Sequence, residues 1–331
     1  MSRCLGRWAA ELEAVIWEKN KMMVTMLTKE AFEASRRFIE TTARTLEITR
    51  FHYAFNGASA EFVFEALKRY QNADGGFGHA LEPDLRTNES SAICTSIAFQ
   101  VLRSIQAAPD KTLVSAGIAY LLKTLDIEKG HWRIIPSSAE QSPHAPWWNQ
   151  AGRDNVFDNF SLNPTAEMLG YLYDYQGQVP SDVLSLVTDR VISHLSGLET
   201  IEMHELLCCL RLLLTRTLPK EIYNLIHQKL ACLINGIVAF EPAQWKEYSL
   251  RPVQVVDDPK SPFLAGHEES VDANLVYEIS SQTEDGSWTP TWTWGDAFPN
   301  DWMLACREWT GIITLEKLLL LKRFKRIEGI A

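Results

Sequence analysis

Four carboxylates stand where they could act in pairs. Glu82 and Asp84 flank Pro83 in the polar stretch HALEPDLRTN, with His79 and Arg86 on either side. Asp257 and Asp258 are adjacent and precede Pro259, which fixes a turn that could bring their side chains together. Two carboxyl groups held close cannot both ionise cheaply, so one retains its proton and can serve as a general acid. The plainer reading of the first pair is a solvated capping loop with Arg86 as its salt-bridge partner; for the second it is an exposed turn. The loop tryptophans Trp147, Trp148, Trp292 and Trp294 add a second property. An aromatic face stabilises a cation by about 0.5–2 kcal/mol, and the same face stacks on a sugar ring. Any one of them reads as packing over a core, whereas four in two loops imply a lined pocket.

Other chemistries find no support. His79, His131, His144, His204 and His267 do not form a metal spacing, and EMHELL lacks a second His four residues on, so neither a metal nor a cofactor is expected. His204 reads instead as a polar group at a helix start. No Gly-x-Ser-x-Gly, P-loop or dinucleotide fingerprint occurs. The net charge of -10 and the lack of a basic run argue against nucleic acid as a partner. The six cysteines are scattered with no C-x-x-C pair and read as reduced, buried thiols. No stretch is long and apolar enough to span a bilayer, which leaves peripheral membrane contact open. Arg3, Arg7, Glu11 and Glu13 precede no apolar signal region, so a cytoplasmic location is the default expectation.

These residues must be positioned by helices. Apolar residues recur at three- and four-residue spacing over 29–52, 59–72, 89–107, 111–126, 163–177, 181–197, 202–217, 220–237, 267–281 and 300–323. Pro164 and Pro180 suggest helix starts, and Asn300-Asp301 supplies candidate caps for the last helix. Arg251–Val256 reads as one short extended piece. The irregular stretches 133–162 and 238–265 are long for a compact domain and rich in aromatics, which favours ordered, functional loops. Residues 1–28 read as an N-terminal extension and 29–331 as a single all-α domain.

A repeat punctuates the helices. Gln71, Asp74, Gly75 and Phe77 correspond in spacing to Gln282, Asp285, Gly286 and Trp288, and a degenerate copy keeps Gly130 and Trp132. Glycine tolerates the positive φ of a helix C-terminus. The aromatic can fold back on a helix pair, and the glutamine can bond backbone groups at a helix end. Units of this kind make helical hairpins in series.

This pattern resembles the QW-type repeat of the terpenoid cyclase and protein prenyltransferase superfamily, which includes squalene–hopene cyclase. The stretches after Asp74 and Asp285 are similar to that family's turn, loop and inner helix. The resemblance covers roughly 59–323 and implies an α/α toroid of about six helical hairpins around a central cavity. It further implies an isoprenoid-handling enzyme with a small hydrophobic, prenyl substrate and proton-initiated cyclisation. Glu82/Asp84 or Asp257/Asp258 would then be the donor, with His79, Arg86 and the four loop tryptophans as substrate contacts.

The family's catalytic strings are absent in standard form. Gln254 stands where an Asp-x-Asp-Asp motif would begin, and Asp272-Ala273-Asn274 lacks the thiolate of a prenyltransferase zinc site. Fold membership does not transfer activity. The alternatives are a carbohydrate-active toroid, a lyase or hydrolase using paired carboxylates, and a non-enzymatic toroid that binds a ligand or partner chain.

Overall fold

The caps and breaks that end each helix are local, and most lie where the periodicity stops. The computed structural model describes residues 25–330 except Pro109 and Asp154. Among these the chain forms twelve α-helices and no strand, only isolated bridge pairs. They are α1 (Lys29–Thr42), α2 (Thr45–Asn56), α3 (Ala60–Lys68), α4 (Ala92–Ser104), α5 (Lys111–Thr124) and α6 (Leu162–Asp174), followed by α7 (Ser181–Gly197), α8 (Met203–Leu213), α9 (Lys220–Leu233), α10 (Pro252–Val255), α11 (Glu268–Ser280) and α12 (Pro299–Arg323). None is long and apolar enough to cross a membrane.

Several boundaries differ from expectation. The run 29–52 is two helices, because Ala43 and Arg44 adopt extended backbone between α1 and α2. Arg251–Val256 is not extended: Pro252 opens a single helical turn, and the Gln254 side chain accepts from Arg251 N at 2.8 Å. Asn300 and Asp301 do not cap α12; Phe298, at φ 46°, occupies the capping position and no side chain bonds there. Pro164 does lie in the first turn of α6, which Ser161 caps by accepting from Asn163 N, and Pro180 is the capping residue of α7. Most of the expected N-terminal extension, including Cys4, lies outside the described residues. Leu27 and Thr28 belong to the folded unit, since Leu27 is buried and pairs with Arg326 and Glu328, and Thr28 caps α1. Cys94, Cys208 and Cys209 are buried as expected, whereas Cys232 is exposed and Cys306 half-buried; all five are free.

The repeat turns are superimposable in their bonding. Gly75 and Gly286 have φ of 90° and 89°, and a Cβ there would lie 2.2 Å from Ala116 O or 2.4 Å from the Ala34 carbonyl carbon. Only glycine lets each turn sit on the backbone of another helix. Gln71 donates to Gly75 O and to Leu113 O of α5; Gln282 donates to Gly286 O and to Ala31 O of α1. The glutamine thus reaches across to a different helix rather than closing its own. Phe77 N and Trp288 N donate to Thr95 Oγ1 and Thr314 Oγ1, which ties each turn to α4 or α12. Gly130, in the degenerate copy, approaches Arg190 of α7, and the buried Trp132 donates its indole N–H to Leu121 O.

These turns set the packing order. The α3 turn docks on α5, the α5 turn on α7, and the α11 turn returns to α1. The even-numbered helices pack in sequence, α4 on α6, α6 on α8 and α8 on α10, while α12 packs on α1 and α2. α6 is buried at Leu162 and without a break from Pro164 to Tyr173, which makes it the most enclosed of them. The stretch 78–90 and the loop 143–148 lie between these helices and carry the polar groups considered next.

Candidate functional site

Glu82 and Asp84 are held by backbone pairing between two loops. Ala145 N donates to Asp84 O at 2.9 Å, Arg86 N donates to Pro143 O at 3.0 Å, and Leu85 bridges His144. The other side of the loop is gripped from the start of α2. Arg44 Nη1 donates to Ala80 O and Leu81 O, each at 3.1 Å, and Glu47 holds the same guanidinium through Nε at 2.8 Å and Nη2 at 2.9 Å. His79 and Ala80, both at φ 55°, make the tight approach to this grip.

Both carboxylates are buried, Glu82 at 6% exposure and Asp84 at 3%. The loop is therefore not solvated. Asp84 is ringed by indoles. Trp294 Nε1 donates to Oδ1 at 2.8 Å and Trp292 Nε1 to Oδ2 at 3.2 Å. Trp309, on α12, directs its N–H at the same carboxylate without closing a full hydrogen bond. Burial raises the Asp84 carboxyl above its usual range, and the Trp294, Trp309 and Trp292 donors, followed by the Arg86 charge, oppose that rise.

Glu82 is supported far less. Its Oε2 has no hydrogen-bond partner, and the Trp148 N–H faces it without a closed bond. Burial drives its carboxyl well above the carboxylate range, and the Asp84 charge pushes the same way. A backbone N–H at Asp84, the Arg44 cation and the Trp148 indole pull back more weakly. Four glutamates are buried among the described residues. Glu47 pairs with Arg44 at 2.8 Å, Glu167 with Arg211 at 3.0 Å, and Glu278 with both Arg251 and Lys317, at 3.0 and 2.7 Å. Glu82 is the one with no ion-pair partner. A buried carboxyl without a counter-charge neutralises by keeping its proton.

The remaining candidates divide. Arg86 pairs with Glu308 of α12 at 2.5 Å, not with Glu82 or Asp84. His79 is exposed, and its ring meets Asn72 at 2.8 Å and Asn88 at 3.3 Å on the repeat turn. Trp147 is 41% exposed and makes no hydrogen bond to either acid. Asp257 and Asp258 take separate partners: Asp257 is half-exposed and meets Arg323 at 3.4 Å, while Asp258 accepts from Lys260 N at 2.8 Å; burial raises the Asp257 carboxyl, Arg323 opposes the rise and the Asp258 charge adds to it. They belong to a different end of the molecule, since Arg323 and Trp309 lie roughly 20 Å apart along α12 at 1.5 Å rise per residue. His204 does start a helix, α8, and its Nε2 meets Tyr248 OH at 3.0 Å.

Sequence reasoning missed Trp309, Arg44, Glu308 and Tyr248. Trp309 lies in a helical apolar run, where it reads as core. Arg44 and Glu47 fall inside what reads as one helix, and two opposite charges on its apolar side were the available signal. Tyr248 packs edge-on to Trp292, with ring centroids 5.7 Å apart, and Trp309 also packs edge-on to Trp292, at 5.2 Å. The arrangement can hold one proton on a carboxyl, accept negative charge on its neighbour and enclose both with indole rings. No family model, curated protein or solved structure matches the chain.

Proposed function

We propose that the chain is an α/α toroid whose even-numbered helices line a central space, and that it handles isoprenoids by proton-initiated cyclisation at Glu82 and Asp84. The return of the α11 turn to α1, through Gln282 and Gly286, supports closure of the ring. The observation that carries the chemistry is the contrast between the two acids. Asp84 has indole donors for the charge left after a proton departs, and Glu82, with no counter-charge, stays neutral beside it. An acid is strong in place when its conjugate base is solvated by fixed donors.

Asp84, protonated once an apolar chain fills the site and excludes water, gives its proton to an alkene carbon. The alkene π electrons form the new C–H bond, and the cation left on the adjacent carbon is captured by the next alkene. The last cation loses a proton to water or a base. Trp292, Trp309 and Tyr248 supply aromatic surface near the developing charge.

The carbohydrate reading draws less support. Glycosidic chemistry uses two carboxyl groups flanking the bond, whereas both acids here rise from a single turn. The test is turnover in D2O of a panel of uncharged polyprenes and prenyl diphosphates, read by mass spectrometry. A cyclised product carrying deuterium, abolished in Asp84→Asn and strongly reduced in Glu82→Gln, is the expected result. Undiminished product in both variants, or no product from any prenyl chain, would overturn the reading.

A further inference from the structure

The ion pair at the start of α2 has no evident role in packing two helices. Arg44 and Glu47 are buried together, at 10% and 1% side-chain exposure. Burying such a pair brings little or no stability by itself. Its geometry is directed at the acid loop. All three guanidinium nitrogens are engaged: Nε and Nη2 by Glu47, Nη1 by the carbonyls of Ala80 and Leu81, which immediately precede Glu82. Four of the five N–H groups are used in this way, and none of the bonds goes to the Glu82 carboxyl, whose Oε2 is unpartnered.

We propose that Arg44 is the positioning residue of the acid site, fixing the backbone that carries Glu82, and that Glu47 holds the guanidinium back from pairing with that carboxyl. The pair works as a restrained cation: close enough to organise the loop, with its bonds directed to Glu47 and to the Ala80 and Leu81 carbonyls rather than to the acid. The inference rests on the assignment of Glu82 above as the neutral partner of Asp84. The other groups facing Glu82 are Asp84 on its own loop, the Trp148 indole from the 143–148 loop, the Cys94 thiol of α4 and the Tyr248 hydroxyl, which burial raises. Cys94 is itself pushed up to about 11 by burial and stays neutral. Tyr70, under the Arg44 guanidinium at 5.6 Å, is also raised by burial and uncharged.

Removing either member of the pair therefore has opposite effects on Glu82. Glu47→Gln frees Nε or Nη2 to reach the carboxyl and favours its anion. Arg44→Met removes the cation and leaves a second buried acid, which favours the neutral form. The experiment is difference infrared spectroscopy of the protonated carboxyl band against pH, with the Glu82 band assigned by its loss in Glu82→Gln. The expected result is titration lower by about one pH unit in Glu47→Gln and higher by a similar amount in Arg44→Met. Shifts of the same sign, or none, would overturn the proposal. Should Arg44→Met not fold, Glu47→Gln decides alone: an unchanged or raised titration overturns it. The titration requires no turnover, so it fails or stands separately from the cyclisation reading.

Discussion

Replacing Glu82 with glutamine is expected to stabilise the protein at neutral and alkaline pH. Burial and the Asp84 charge raise the folded-state carboxyl well above its unfolded value. The folded chain then binds the proton more tightly than the unfolded chain does. The stability this contributes is complete below the unfolded carboxylate pKa and is lost as pH rises through the folded value. One proton corresponds to a slope of about 1.4 kcal/mol per pH unit within that window. The amide in Glu82→Gln binds no proton and fills nearly the same volume, so the variant lacks this slope. Asp84 is raised as well, and its contribution has the same sign in both proteins, so their difference reads Glu82 together with its coupling to Asp84. Urea unfolding from acid to alkaline pH reads the effect: near-equal stability at the acid end, with the variant ahead by a growing margin above it. Glu278→Gln is the control. Glu278 is fully buried against Arg251 and Lys317, and its loss leaves two cations without a counter-charge, at a cost of about 3–5 kcal/mol. If Glu82→Gln instead loses several kcal/mol at neutral pH and keeps the wild-type slope, Glu82 is an ionised structural group and the reasoning is refuted.

Further outcomes follow from the same geometry. Trp294→Phe removes the 2.8 Å indole bond to Asp84; a hydrogen bond to a charged group contributes about 1.5–3 kcal/mol, so the Asp84 carboxyl should titrate higher in the infrared series by about one to two pH units. Gly286→Ala places a Cβ 2.4 Å from the Ala34 carbonyl carbon at φ 89° and should lower the melting temperature clearly more than Gly152→Ala, where φ is also positive but nothing lies within 4 Å. Gln282→Ala removes donors to Ala31 O, Ser35 Oγ and Gly286 O and should cost about 1–3 kcal/mol, with faster amide exchange in α1. Asp257→Asn alters a half-exposed contact with Arg323 and should change stability by less than about 1 kcal/mol; an unfolding curve displaced well beyond that would return the Asp257 pair to consideration.

The local features were legible in the chain. Apolar periodicity located the helices to within a few residues, because a helix that buries one face must repeat its apolar residues at helical spacing. The run 29–52 was misread as continuous because its break at Ala43 and Arg44 contains neither glycine nor proline. The glycines at 75 and 286 announced turns through a conformation that other residues avoid. The candidate acids Glu82 and Asp84 were visible as a charged turn after a repeat, and Trp292 and Trp294 as large rings in a loop. What neither stretch discloses is that they meet.

That meeting joins residues 208 and 210 positions apart. By itself the sequence determined an all-α chain, its repeat turns and a short list of acids, since these depend on backbone preference and spacing over a few residues. The tertiary structure alone decided what surrounds each acid. It placed Asp257 and Asp258 at a half-exposed turn beside Arg323, gave Glu47, Glu167 and Glu278 cationic partners, and left Glu82 buried without one. The charge state of a carboxyl is set by desolvation and by which charges stand within a few ångströms, and those neighbours come from helices that only folding brings together.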